Sequence, residues 1–156
     1  MRQREPVLLL EKAEKSSGEM TWDEREETGM RSRASEHVTL VEVLELIGSF
    51  EEFSAAIQAA ARRLEAEGIQ ELVTLQFYAT PGSTEVGALL TFADRSRIME
   101  HIDMITEWEE FERFFGTVKP IDVRVYGKLS AEAESWVRKF GVVSKTFEHH
   151  VAGFVR

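Results

Sequence analysis

Leu72-Val-Thr-Leu-Gln-Phe-Tyr-Ala79 and Val86-Gly-Ala-Leu-Leu-Thr-Phe92 face each other across Thr80-Pro-Gly-Ser83. Both arms are rich in β-branched and aromatic residues, and Pro-Gly supplies a turn between them. The pair reads as a β-hairpin. In the first arm Val73, Leu75, Phe77 and Ala79 alternate with Leu72, Thr74, Gln76 and Tyr78. In the second, Val86, Ala88, Leu90 and Phe92 alternate with Glu85, Gly87, Leu89 and Thr91. Each arm therefore has one apolar face for helices and one mixed face that needs a partly polar cover.

Upstream, Val38-Thr-Leu-Val-Glu-Val-Leu-Glu-Leu46 reads as a central strand, apolar on nearly both sides and expected to be covered on both. Ser49-Phe-Glu-Glu52 fits a capping box. It opens a helix to about Glu67, stopped by Gly68, with Phe50, Phe53, Ile57, Ala60 and Leu64 on one stripe. Downstream, Asp94 and Ser96 offer caps for a helical region from Arg97 to Phe115, with a break near Thr106. Its stripe is Ile98, His101, Ile105 and Trp108. Pro120 to Gly127 reads as the last core strand, with Ile121, Val123 and Val125 opposed to Asp122, Arg124 and Tyr126. Ser130 to Phe140 reads as a short helix, and Lys145 to Arg156 as an extra edge strand. The order is β-α-β-β-α-β, an α+β, ferredoxin-like arrangement with an antiparallel four-stranded sheet.

Two segments follow from composition. Residues 1–36 alternate charges without period and read as a poorly ordered extension, with Trp22 its one residue suited to docking. Residues 37–156 form the domain. The net charge of −9 disfavours nucleic acid as a partner, and no Lys/Arg cluster offsets it. The absence of cysteine excludes disulfides and thiol catalysis. No apolar run approaches the roughly 20 residues of a membrane span, so a cytoplasmic protein without a membrane partner is expected. Gly-rich phosphate loops, nucleophile elbows and paired-carboxylate motifs are absent from the sequence. His149 and His150 are adjacent rather than spaced for joint ligation, so no metal site is expected.

With the strands placed, the chain from Val38 to Arg156 resembles the dimeric α/β-barrel superfamily, and within it the antibiotic-biosynthesis-monooxygenase-like proteins. The resemblance rests on the element order, on Met99-Glu-His101-Ile, on Val125-Tyr-Gly127, and on Phe140-Gly-Val142 with Val151-Ala-Gly-Phe154-Val-Arg156. It implies a homodimer whose sheets pack face to face into a barrel. It also implies oxygenation of an electron-rich phenol or quinol with no cofactor. Haem-degrading relatives use an Asn, Trp and His set, and this chain contains no Asn.

On this reading His101 is the catalytic base, its neutral imidazole taking a proton from a small aromatic or quinone-like compound. The alternative is a core histidine bonded to a carbonyl. Trp108 and Tyr78 would shape the pocket, with Gln76, Arg124 and Tyr126 as further ligand-binding residues. Trp108 could equally serve packing. Arg124 and Tyr126, like Gln76 and Tyr78, could serve the dimer interface, with Arg124 paired to Glu42 or Asp122. The rival function is a non-catalytic ligand-binding or structural homodimer of the same fold.

Overall fold

The computed structural model describes residues 36–156. The expectations for the N-terminal extension, including Trp22, fall almost wholly outside these residues. Five strands form one sheet in the order β2-β3-β1-β4-β5. They are β1 (Val38–Leu46), β2 (Leu72–Ala79), β3 (Glu85–Phe92), β4 (Val118–Tyr126) and β5 (Val143–Phe147). The first four pair antiparallel, and β5 joins β4 in parallel. The helices are α1 (Phe50–Glu67), α2 (Ile98–Ile105), α3 (Glu109–Phe115) and α4 (Ala131–Arg138). This is the ferredoxin-like order with a helix and a parallel strand added after β4.

Local chemistry accounts for the boundaries. The Glu52 amide donates to Ser49 Oγ at 3.0 Å, capping α1. Its buried side is Phe53, Ala56, Ile57, Ala60 and Leu64, whereas Phe50 is half exposed. The second helical region does break at Thr106, whose amide bonds back to Ile102, and the chain restarts as α3 after Trp108. Ser130 caps α4 by accepting from the Ala133 amide at 3.1 Å. The last strand comes earlier than expected, and residues 148–156 are not strand.

Two register shifts change which side chains face the helices. On β2, Leu72 lies opposite Phe92 and Thr74 opposite Thr91, so Val73 is passed over. Val73 is therefore half exposed, and Leu72 takes the place expected for it. On β4, Asp122 pairs with Val43 but Pro120 pairs with Leu44, so Ile121 is passed over. Pro120 lacks the amide a regular ladder needs, and sheet prolines collect at such bulges. Pro120, not Ile121, continues the Val123 and Val125 row.

The helices lie against the face that carries Leu40, Leu44, Val86, Ala88, Phe92, Val123 and Val125. Two core clusters form there. One joins α1 and α3 through Phe53, Phe111 and Phe114, and the other joins α2 and α4 through Ile98, Ile102, Ala133 and Val137. Phe114 sits at the centre of the first, with ring centroids 5.5 Å from Phe77, 6.1 Å from Phe53 and 5.9 Å from Phe111. Among the described residues the opposite face has no helix on it, so within them β1 is covered on one side only. The single-chain sheet is open, not closed into a barrel.

Gly127 holds the end of β4. Its φ is +123°, and a Cβ there would lie 2.7 Å from the His37 carbonyl oxygen. Its amide also donates to Phe147 O at 2.9 Å, tying β4 to β5. Gly127→Ala combines backbone strain with a clash against main chain. It should cost about 2 kcal/mol or more in urea unfolding, with an unchanged m value.

Candidate functional site

A cavity of about 80 Å³ lies between the sheet and the helices, at the seam of the two core clusters. It has several times the room one water needs. Its floor is the β1 row Leu40, Glu42 and Leu44, with Leu75, Phe77 and Leu90 beside it. Its roof comes from α2, α3 and α4. Nearly all of its wall is carbon. Among its lining residues only Glu42 and His101 ionise.

Glu42 reaches the cavity because of strand parity. It shares a face with Val38, Leu40 and Leu44, and lies opposite Ala88 on β3 and Val123 on β4. None of these neighbours has a polar side chain. Among the described residues its carboxylate has no ion-pair or hydrogen-bond partner in the structure. Burial alone pushes its pKa up, to about 7, since a desolvated carboxylate favours its neutral form.

His101 arrives from the opposite wall. The α2 stripe Ile98, His101, Ile102 and Ile105 faces the sheet, as its spacing predicts. The imidazole meets Phe92 edge to face at a centroid distance of 5.2 Å. Nδ1 is enclosed without a hydrogen-bond partner among the described residues. Burial pulls its pKa down to about 4. The imidazole is thus neutral at pH 7, as expected, but it accepts a proton far less readily than an exposed histidine.

The other expected site residues lie elsewhere. Trp108 is in the aromatic core, 6.2 Å from Phe111, under the Arg63 guanidinium at 4.1 Å. Arg63 is held there by Glu110 at 2.9 Å. Tyr78, Gln76, Arg124 and Tyr126 lie on the open sheet face, away from the cavity. Arg124 pairs with Asp122 at 3.0 Å, not with Glu42, which projects from the other side of the sheet. Tyr126 stacks on Phe147 at 5.2 Å with an 8° interplanar angle. The structure therefore brings together His101 and Glu42, leaves Trp108 in the core, and groups Tyr78, Gln76, Arg124 and Tyr126 on the opposite face.

Sequence reasoning missed Glu42 as a cavity residue, and it missed the contribution of α4. Leu129, Ala133, Trp136, Val137 and Phe140 line the cavity. Their three- and four-residue spacing was a readable signal. Trp136, edge to face with Phe140 at 4.7 Å, is the tryptophan that the cavity uses.

The two ionisable groups should reveal themselves in stability. Glu42 binds its proton more tightly when folded, so its share of stability falls as pH rises from about 4.5 to 7. His101 binds its proton less tightly when folded, so its share is lost as pH falls from about 6.5 to 4. The two slopes oppose one another in wild type. Glu42→Gln should raise stability at pH 8 by about 3 kcal/mol and expose the histidine slope. His101→Gln should expose the carboxylate slope. Denaturation midpoints from pH 4 to 8 check both.

No protein-family model and no curated protein sequence matches the chain. Solved structures do. MupZ from Pseudomonas fluorescens is 15% identical with a TM-score of 0.53, over 77% of this chain and 94% of that one. SnoaB from Streptomyces nogalater, a cofactor-independent oxygenase, is 9% identical with a TM-score of 0.51, over 62% of this chain and 96% of that one. At these identities the likeness is one of fold. The chain shares its ferredoxin-like fold with these two structures.

Proposed function

We propose that the chain is a monooxygenase-like protein that binds a small aromatic or quinol-like compound in the cavity between sheet and helices. The observation that carries this reading is a carbon-walled cavity with two ionisable groups on its wall: Glu42, pushed up to about 7 by burial, and His101, kept neutral by burial. Such a site favours an apolar ring over an ion and offers it isolated polar contacts. The fold shared with a cofactor-independent oxygenase supports oxygenation as the reaction class. In that reaction the substrate anion passes electrons to dioxygen, one oxygen atom enters the product, and the other leaves as water. The chain's part is to exclude water, hold the ring and manage one proton.

His101, neutral and with an unspent hydrogen-bonding position, suits holding a substrate oxygen. On the helix side of the wall, Phe115 is exposed and Trp136 and Phe140 are partly exposed. A guest larger than the present cavity enters by displacing them. If the cavity admits rings but supports no turnover, the protein is a ligand-binding module of the same fold.

The open sheet face is proposed as a homodimer interface. It exposes Tyr78, Leu89, Tyr126 and Phe147. Thr39 and Thr91 bond to each other across it at 3.0 Å. A second copy laid on this face would bury those rings and close the two sheets into a barrel. Light scattering at micromolar concentration should give twice the chain mass, and Leu89→Asp, mid-face on β3, should give the monomer. A monomeric wild type removes the dimer.

Oxygen uptake with a panel of hydroquinones and anthrones tests the reaction. Wild type should consume oxygen with at least one compound, and His101→Ala should lower kcat/KM by 10-fold or more, the loss of a hydrogen bond to substrate. No uptake across the panel, with saturable binding of the same compounds, would convert the reading to that of a binding protein.

A further inference from the structure

We infer that Glu42, not His101, is the proton acceptor of this cavity, and that its substrates are neutral, weakly acidic aromatic molecules that surrender a proton to its carboxylate. The inference rests on the cavity reading above and assigns its chemistry to a different wall.

The geometry comes first. Glu42 stands in the middle of the central strand, on the floor of the cavity, with Ala88 and Val123 beside it on the neighbouring strands. From α2 the one ionisable group facing the cavity is His101; the lining residues of α3 and α4 are not ionisable, with the Trp136 indole their one polar group. Among the described residues no Lys or Arg lines the space. Among them the carboxylate is therefore neither neutralised by a salt bridge nor occupied by a hydrogen bond. A structural glutamate in such a row would normally be paired. An unpaired one is free to act on whatever enters.

Energetics agree. A base works best when its pKa lies near the working pH. Burial brings Glu42 to about 7 and takes His101 to about 4, so at neutral pH the carboxylate is the stronger acceptor. A cationic guest would pair with the carboxylate and quench it. An anionic guest would be repelled. A neutral acid keeps the enclosed charge constant: the guest's X–H bond breaks, an O–H bond forms on Glu42, and one negative charge passes to the guest.

The test uses a probe that needs a base and no oxidant. In 5-nitrobenzisoxazole, removal of the ring C–H proton breaks the N–O bond and yields a nitrile and a coloured phenolate. Purified full-length protein should open it faster than buffer, with a rate rising through a midpoint near pH 7. Glu42→Gln should lower the rate by about 10²-fold or more. Glu42→Asp should restore part of it. Glu45→Gln, on the same strand but the opposite face, should leave it unchanged. His101→Ala should keep the midpoint even where the rate falls. Unfolding cannot mimic the loss, because Glu42→Gln is expected to be the more stable protein and its melting curve is measured alongside.

A Glu42→Gln rate within threefold of wild type overturns the inference. So does a wild type no faster than buffer. The oxygenase reading fails separately: Glu42-dependent ring opening without oxygen uptake by any hydroquinone keeps the base and removes the oxygenation. Oxygen uptake that survives Glu42→Gln keeps the oxygenation and removes this base.

Discussion

A side chain in the inward row of a twice-paired strand cannot leave its face without carrying the whole strand with it, because one residue of slip inverts every side chain. β1 is that strand here. It is bonded to β3 on one edge and β4 on the other, and its inward row buries Val38, Leu40 and Leu44. Those three hold the register, and the register holds Glu42 between Leu40 and Leu44. The carboxylate is partly shielded from water because its neighbours are stable where they are. The penalty for ionising it is then spread over the whole sheet rather than met by a local partner.

The helices complete the constraint. α1 and α3 build an aromatic cluster against one half of the sheet, and α2 and α4 an aliphatic one against the other. Had the two merged into one continuous core, there would be no space above Glu42. They meet at the break after Ile105, where the chain turns through Thr106 and Glu107 before α3 begins. The gap above β1 thus follows from two short helices standing where a single long one would have sealed it.

Much of this was legible in the sequence, and the rest was hidden for definable reasons. The capping serine at Ser49, the hairpin, the break at Thr106 and the inward position of His101 all follow from local spacing. Val73 and Ile121 could not be placed by alternation, because a bulge depends on the strand opposite. Glu42 was ambiguous for a related reason. Both rows of β1 are largely apolar, so parity alone did not say which one the helices take. Trp108 and Trp136 show the limit of composition: both sit near aromatic neighbours in sequence, but only the second ends on the cavity wall. The α4 stripe was written plainly in the chain and went unused because the four-strand pattern was already complete without it.

The segment from Lys128 to Phe147 leaves β4, crosses as α4 and returns as β5 alongside it. Every residue of β5 is exposed, so the segment is tied to the sheet mainly by main-chain bonds and the Tyr126–Phe147 stack. Yet it supplies five of the residues that line the cavity, including Trp136 and Phe140. Under the proposed function, selectivity and reactivity would reside in separable pieces of chain. The four-strand sheet carries the carboxylate, while the edge segment would decide which guests reach it. Descendants of such a protein can diversify what they accept by rewriting about twenty residues at one edge, leaving the chemistry on the central strand untouched.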